Sequence, residues 1–91
     1  MSNQSSEVPV VTLSKWPWGR SLAIVPPGGT VEVDSIRFRM VKDYCYELGI
    51  REGSVLTCLT QNGSWVELEL PPGKLIQLPR EYAWFVAVEE L

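Results

Sequence analysis

The chain has 91 residues, 45% of them hydrophobic, with 8 basic and 11 acidic side chains, no histidine and a net charge of −3. That length suits one small domain near the lower limit for a single apolar core, and the composition is that of a globular chain, not a disordered one. The acidic balance argues against a phosphate-binding surface, so no nucleic acid partner is expected. The missing histidine removes the usual general base near neutral pH and the commonest transition-metal ligand.

No stretch approaches the roughly 20 apolar residues of a membrane span, and the polar residues 1–7 lack the charged-then-apolar pattern of a secretory signal. A cytoplasmic protein with no direct membrane insertion is expected. Cys45 and Cys58 fall on a predicted helix and a predicted strand, and burial of both as reduced, small apolar side chains is expected over pairing.

In chain order, residues 1–7 read as disordered. Residues 8–13 are apolar enough for a strand but contain Pro9, which suits a sheet edge or a contact with another chain. Trp16 and Trp18 then flank Pro17 in a loop. Their rings either fold back as a lid over the core or form an exposed aromatic patch. Residues 1–20 are therefore assigned to an N-terminal arm, partly disordered, and 21–91 to the folded domain.

Pro26-Pro27-Gly28-Gly29 is a turn in which proline presets φ at one central position and glycine supplies a positive φ at the next. Residues 30–36 alternate as a half-buried strand, Val31 and Val33 inward, Glu32 and Asp34 outward. A helix is predicted over 39–48, with Val41, Tyr44, Cys45 and Leu48 within about 100° of arc on its buried stripe. No good cap stands before Arg39. At the other end Gly49 suits the left-handed position after the helix, and Ile50 can pack back on Cys45. Gly53 makes a second tight turn.

Residues 54–60 are apolar on both faces (Val55, Leu56, Leu59), as in a central strand. Asn62-Gly63 predicts a type I′ hairpin turn. In residues 65–70, Val66, Leu68 and Leu70 point inward, while Trp65, Glu67 and Glu69 point out. Pro71-Pro72-Gly73 repeats the earlier turn solution before a short strand at 75–78. Residues 79–82 form one helical turn, and the last strand covers 84–88, with one of Trp84 and Phe85 facing the core.

Taken together, the strand, the helix ending in Leu48-Gly49-Ile50-Arg51-Glu52-Gly53, the 54–70 hairpin, Leu75-Ile76-Gln77-Leu78 and the alanine-led close at 83–88 resemble the FeoA family over residues 22–89. The family is that of ferrous iron transport protein A. The resemblance implies a mainly β fold, a small SH3-like five-stranded barrel with one inserted α-helix. It implies a cytoplasmic accessory to ferrous iron uptake acting on the cytosolic G-protein domain of a FeoB-type membrane transporter. A sister use of the domain is the C-terminal module of iron-dependent repressors, so a metal-responsive regulatory domain is an alternative.

No catalytic residue is expected: the serines have no base at suitable spacing, and the glycine turns lack the phosphate-loop pattern. No cofactor and no dedicated iron site are expected. Glu67 and Glu69 project from one strand face roughly 7 Å apart, a pair that could hold divalent iron weakly but reads more readily as a solvated strand face. Protein binding remains, and its candidates are the aromatics Trp16, Trp18, Tyr46 and Trp65, since exposed Trp and Tyr are enriched at interface centres. A homo-oligomer or self-associating scaffold built on Trp16 and Trp18 is the third reading.

Overall fold

The computed structural model describes residues 20–91. One antiparallel sheet holds six strands, β1 Arg20–Ser21, β2 Thr30–Ile36, β3 Val55–Gln61, β4 Trp65–Leu70, β5 Lys74–Pro79 and β6 Val86–Glu90, in the order β1-β6-β2-β3-β4-β5. A ten-residue helix, α1 (Arg39–Leu48), is inserted between β2 and β3, and a single helical turn, α2 (Arg80–Ala83), precedes β6. The five strands read from the sequence are present. The sixth, β1, has only two residues and pairs Arg20 with Val88 and Ser21 with Ala87.

Alternation of side chains explains how each strand faces the core. Val31 and Val33 of β2 are buried and Glu32 and Asp34 exposed; a register shift between Val33 and Ser35 then turns Ile36 inward as well, as an extra residue in one strand does. Leu56 and Cys58 of β3, Val66 and Leu68 of β4, Ile76 and Leu78 of β5, and Val86 and Val88 of β6 complete the core. Cys45 and Cys58 are both buried, and both are free thiols.

The outermost strands, β1 and β5, form no ladder with each other. Side chains and short helical pieces bridge them. The buried Ser21 hydroxyl lies 3.2 Å from the Trp84 carbonyl and accepts the Ala23 N–H at 3.1 Å, at the start of the 3-10 turn Leu22–Ile24. Arg80 donates to the Ala23 carbonyl at 3.4 Å, and the Gln61 amide donates to the Val25 carbonyl.

Helix α1 ends as the sequence predicts. Gly49 has φ 94°, its N–H reaches the Tyr46 carbonyl at 3.1 Å, and the Ile50 N–H reaches that of Cys45 at 2.8 Å. This pair of bonds is the glycine-terminated helix stop that satisfies two orphan carbonyls. A third carbonyl of the last turn, that of Leu48, accepts from the Lys74 ammonium of β5 at 3.1 Å. An added Cβ at Gly49 would lie 3.3 Å from Leu70, so crowding reinforces the backbone requirement.

Four expectations are corrected. Tyr44 does not join the buried stripe: it is 37% exposed and meets Tyr82 edge-to-face at 5.0 Å, because α2 and not the sheet faces that side of the helix. Asn62-Gly63 is not a type I′ turn, since neither residue has a positive φ. The Asn62 side chain instead accepts the Ser64 and Trp65 N–H groups, both at 2.8 Å, so a local side-chain bond sets a three-residue loop. The two Pro-Pro-Gly turns also differ. The first is closed by Gly29 N–H to the Pro26 carbonyl at 3.1 Å, with Gly28 at φ 90°, whereas the second contains a cis Pro71–Pro72 bond. Finally, Trp84 and Phe85 precede β6, and both are half-buried against the core.

Candidate protein-binding face

Trp16 and Trp18 lie outside the described residues, as does most of the arm to which they were assigned; Arg20, placed in that arm, is part of β1 and forms an ion pair with Glu90. Tyr46 is half-buried, and both its parts are engaged within the chain. Its hydroxyl donates to Glu52 at 2.7 Å, and the Arg51 guanidinium sits 4.7 Å from its ring centroid. The hydrogen bond pulls the Glu52 carboxyl below its usual range and pushes the Tyr46 hydroxyl up. Lys42, one helical turn before Tyr46, approaches Glu52 at 3.8 Å. These contacts fasten the second half of α1 to the 50–53 turn.

Trp65 keeps its outward position and is 40% exposed. It stands opposite Pro79 in the β4–β5 ladder and lines an open groove with Gly63, Ser64, Pro79 and Glu81. Glu67 and Glu69 are half-buried on β4, and Glu67 accepts the Thr60 hydroxyl at 3.0 Å. Among the described residues, no three Cys, Asp or Glu side chains gather as metal ligands would.

A larger aromatic surface lies elsewhere, at the start of α1. Phe38 is 63% exposed and Met40 69%. Phe38 meets Phe85 edge-to-face at 4.9 Å, and Tyr44 meets Tyr82 in the same way at 5.0 Å. Met40 and Tyr44 are four residues apart, so they are neighbours on one helix face. The result is one apolar ridge along the seam between α1 and the 82–85 segment. Sequence reasoning missed it because Phe38 lies in the link between strand and helix, where periodicity assigns no face. The available signal was the run Arg37-Phe38-Arg39-Met40, which alternates basic and apolar residues where a helix cap belongs.

Phe38 is also strained. It caps α1 at φ 68°, ψ 133° without any side-chain hydrogen bond, in a region that glycine occupies readily and a residue with a Cβ does not. Such outliers cost about 1–3 kcal/mol. Phe38→Gly is therefore expected to be more stable than Phe38→Ala by about 1 kcal/mol in urea unfolding, although alanine is the better helix former. Equal stabilities would remove the strain from the argument.

Comparison with known proteins places this geometry. The FeoA domain family matches residues 20–90. Among solved structures, a manganese-dependent transcriptional repressor in complex with manganese superposes with a TM-score of 0.75 at 23% identity, over 82% of this chain and 38% of the repressor. An iron uptake regulatory protein, FeoA, gives 0.71 at 18% identity over 78% of this chain and 96% of its own. The FeoA protein from Chlorobium tepidum gives 0.68 at 24% identity, over 78% and 70%. These likenesses establish the SH3-like fold. The chain thus spans well under half the length of the repressor it superposes on. No curated protein sequence matches it.

Proposed function

This chain belongs to the FeoA family, and from that premise we propose that it is a non-enzymatic, cytoplasmic accessory of ferrous iron uptake. It works by contact with the cytosolic G-protein domain of a FeoB-type transporter. The family match over residues 20–90 carries this reading. Two features support it. The described residues include no helix long and apolar enough to cross a membrane, and they present exposed aromatic and thioether side chains at Phe38, Met40 and Trp65, types that supply much of the energy at protein interfaces.

Calorimetric titration of the full chain against that G-protein domain, with each guanine nucleotide bound, tests it. Saturable one-to-one binding in at least one nucleotide state is expected. A flat trace in both states overturns the reading.

A second reading, a metal-responsive regulatory domain, draws on the superposition with the manganese-dependent repressor. It requires measurable Fe²⁺ or Mn²⁺ affinity, and a flat titration with both ions removes it.

A further inference from the structure

Among the described residues β5 is the longer of the two outer strands, with six residues against the two of β1, and β4 is its only strand neighbour. Its register with β4 runs without a shift from Trp65 opposite Pro79 to Leu70 opposite Lys74. Pro79 has no N–H to give, and the next N–H, that of Arg80, reaches the Ser64 carbonyl at 2.8 Å. The Trp65–Pro79 pair is therefore of the non-hydrogen-bonded kind, and the two kinds alternate along an antiparallel ladder. Ile76 and Leu78 thus turn their backbone groups to β4, while Leu75 and Gln77 turn theirs outward. Those outward groups have no hydrogen-bond partner among the described residues, and both side chains are exposed. Such an edge is a template for one more strand. The lysine that might guard it is turned elsewhere, since the Lys74 ammonium is held by the Leu48 carbonyl.

The chain itself holds a segment that fits. Nineteen residues precede Arg20, and Val8-Pro9-Val10-Val11-Thr12-Leu13 is an uncharged run within them, rich in the β-branched side chains that suit a strand. It is also within reach. The Ser21 hydroxyl lies 3.2 Å from the Trp84 carbonyl, and the Ala23 carbonyl accepts at 3.4 Å from Arg80, the residue that follows β5. The steps from Leu13 to Arg20 span up to about 25 Å when extended, more than the roughly 17 Å length of a six-residue strand.

Pro9 decides which way the segment faces. Proline is tolerated in a sheet where its nitrogen points to solvent. With Pro9 so placed, alternation turns the N–H groups of Val11 and Leu13 to solvent and those of Val10 and Thr12 toward β5.

We propose that residues 8–13 add to the free edge of β5 as a further antiparallel strand of the same chain, with the backbone groups of Val10 and Thr12 bonded to those of Leu75 and Gln77. Every ladder in the sheet is antiparallel. The Val10 and Thr12 side chains then stand beside Leu75 and Gln77 on the outer face, and Val11 stands beside Ile76 on the inner one. The added strand does not depend on the transporter reading.

Amide hydrogen exchange of the full chain, followed residue by residue by NMR, tests it. The Leu75 and Gln77 amides are expected to exchange at least about a hundredfold more slowly than in an unstructured chain. Val10→Pro removes an N–H aimed at β5 and is expected to reduce that protection at least about tenfold. Ile76 and Leu78, bonded to β4, keep theirs and show that the domain is still folded. Val11→Pro removes an N–H aimed at solvent and should change the Leu75 and Gln77 rates by less than about threefold.

Unprotected Leu75 and Gln77 amides in the wild type overturn the proposal. So does protection that Val10→Pro leaves unchanged, or an equal loss in the two variants. Protection that rises with protein concentration, together with dimers in sedimentation, replaces the same-chain strand with a second copy at the edge and overturns it as well.

Discussion

Leu56→Ala is expected to remove about 2–5 kcal/mol of folding stability, increasing with the cavity it leaves. Leu56 is fully buried in β3, and β3 is flanked by β2 on one side and β4 on the other. Both neighbours are held by ladders, Val31 opposite Leu56 and Leu68 opposite Cys58, so the walls of the cavity cannot easily collapse. A domain of this size has a total stability near the low end of about 5–15 kcal/mol. One leucine therefore accounts for a large share of it, and the urea midpoint should drop by about 2 M or more. Leu75→Ala is the matched control. Leu75 is 68% exposed on β5, and its loss should stay within about 0.5 kcal/mol. Similar midpoints for the two variants would mean that β3 is not the centre of the core.

The second large effect is a loss of stability in alkali. Cys45 lies on the buried side of α1 with no exposed surface. Desolvation, and then the negative charge of Glu52, push its thiol from 9.0 up to about 11. Burial penalises the thiolate, so the folded state holds this proton more tightly than the unfolded chain does. The sign follows from linkage. Below pH 9 the thiol is protonated in both states, and its contribution is fully present. Between pH 9 and about 11 the unfolded chain ionises first, and about 2–3 kcal/mol is lost. Urea unfolding at pH 8 and pH 10.5 measures the fall. Other groups titrate in the same window, so the informative quantity is the difference from Cys45→Ala, whose stability should decline less over the same interval. Parallel declines would show that the thiol is not what couples folding to pH.

How far the fold could be read in advance depended on whether local chemistry decided each element. The strands at 30–36 and 65–70 were legible because valine and leucine alternate there with carboxylates, and only one face of a sheet can accept each set. The helix stop at Gly49 was legible for a similar reason: a positive φ followed by an apolar Ile50 leaves few alternatives. By contrast, β1 is two residues long and has no period to detect. It exists because Ala87 and Val88 offer an open edge some 67 positions later in the chain. Tyr44 was misplaced because helical arithmetic gives a direction but not the identity of what lies there; α2 covers that side only partly, leaving the ring half in water. At Asn62 the asparagine preference was right and the turn type wrong, since the side chain could satisfy two N–H groups without a left-handed backbone. The exposure of Trp65 was legible from its position on an outward strand face. That of Phe38 was not, because it lies in the link before the helix, where no side-chain pattern assigns a face.

The strand order carries a consequence for how the molecule comes into being. β6 sits between β1 and β2, so among the described residues the last strand fills a place between the first two. β1 lacks its partner, and β2 has only β3 beside it, until residues 86–90 have been synthesised, and the pairing of Arg20 with Val88 closes a loop of 67 intervening residues. The hairpin of β3 and β4 needs only a three-residue loop and can form early, but its apolar face has no cover at that stage. Topologies dominated by such distant pairings fold slowly for their size. The β2–β6 ladder, which also joins distant parts of the chain, is thus the step on which the whole sheet waits. Assembly is expected to be a single late event, in which the growing chain gains little protection until β6 arrives.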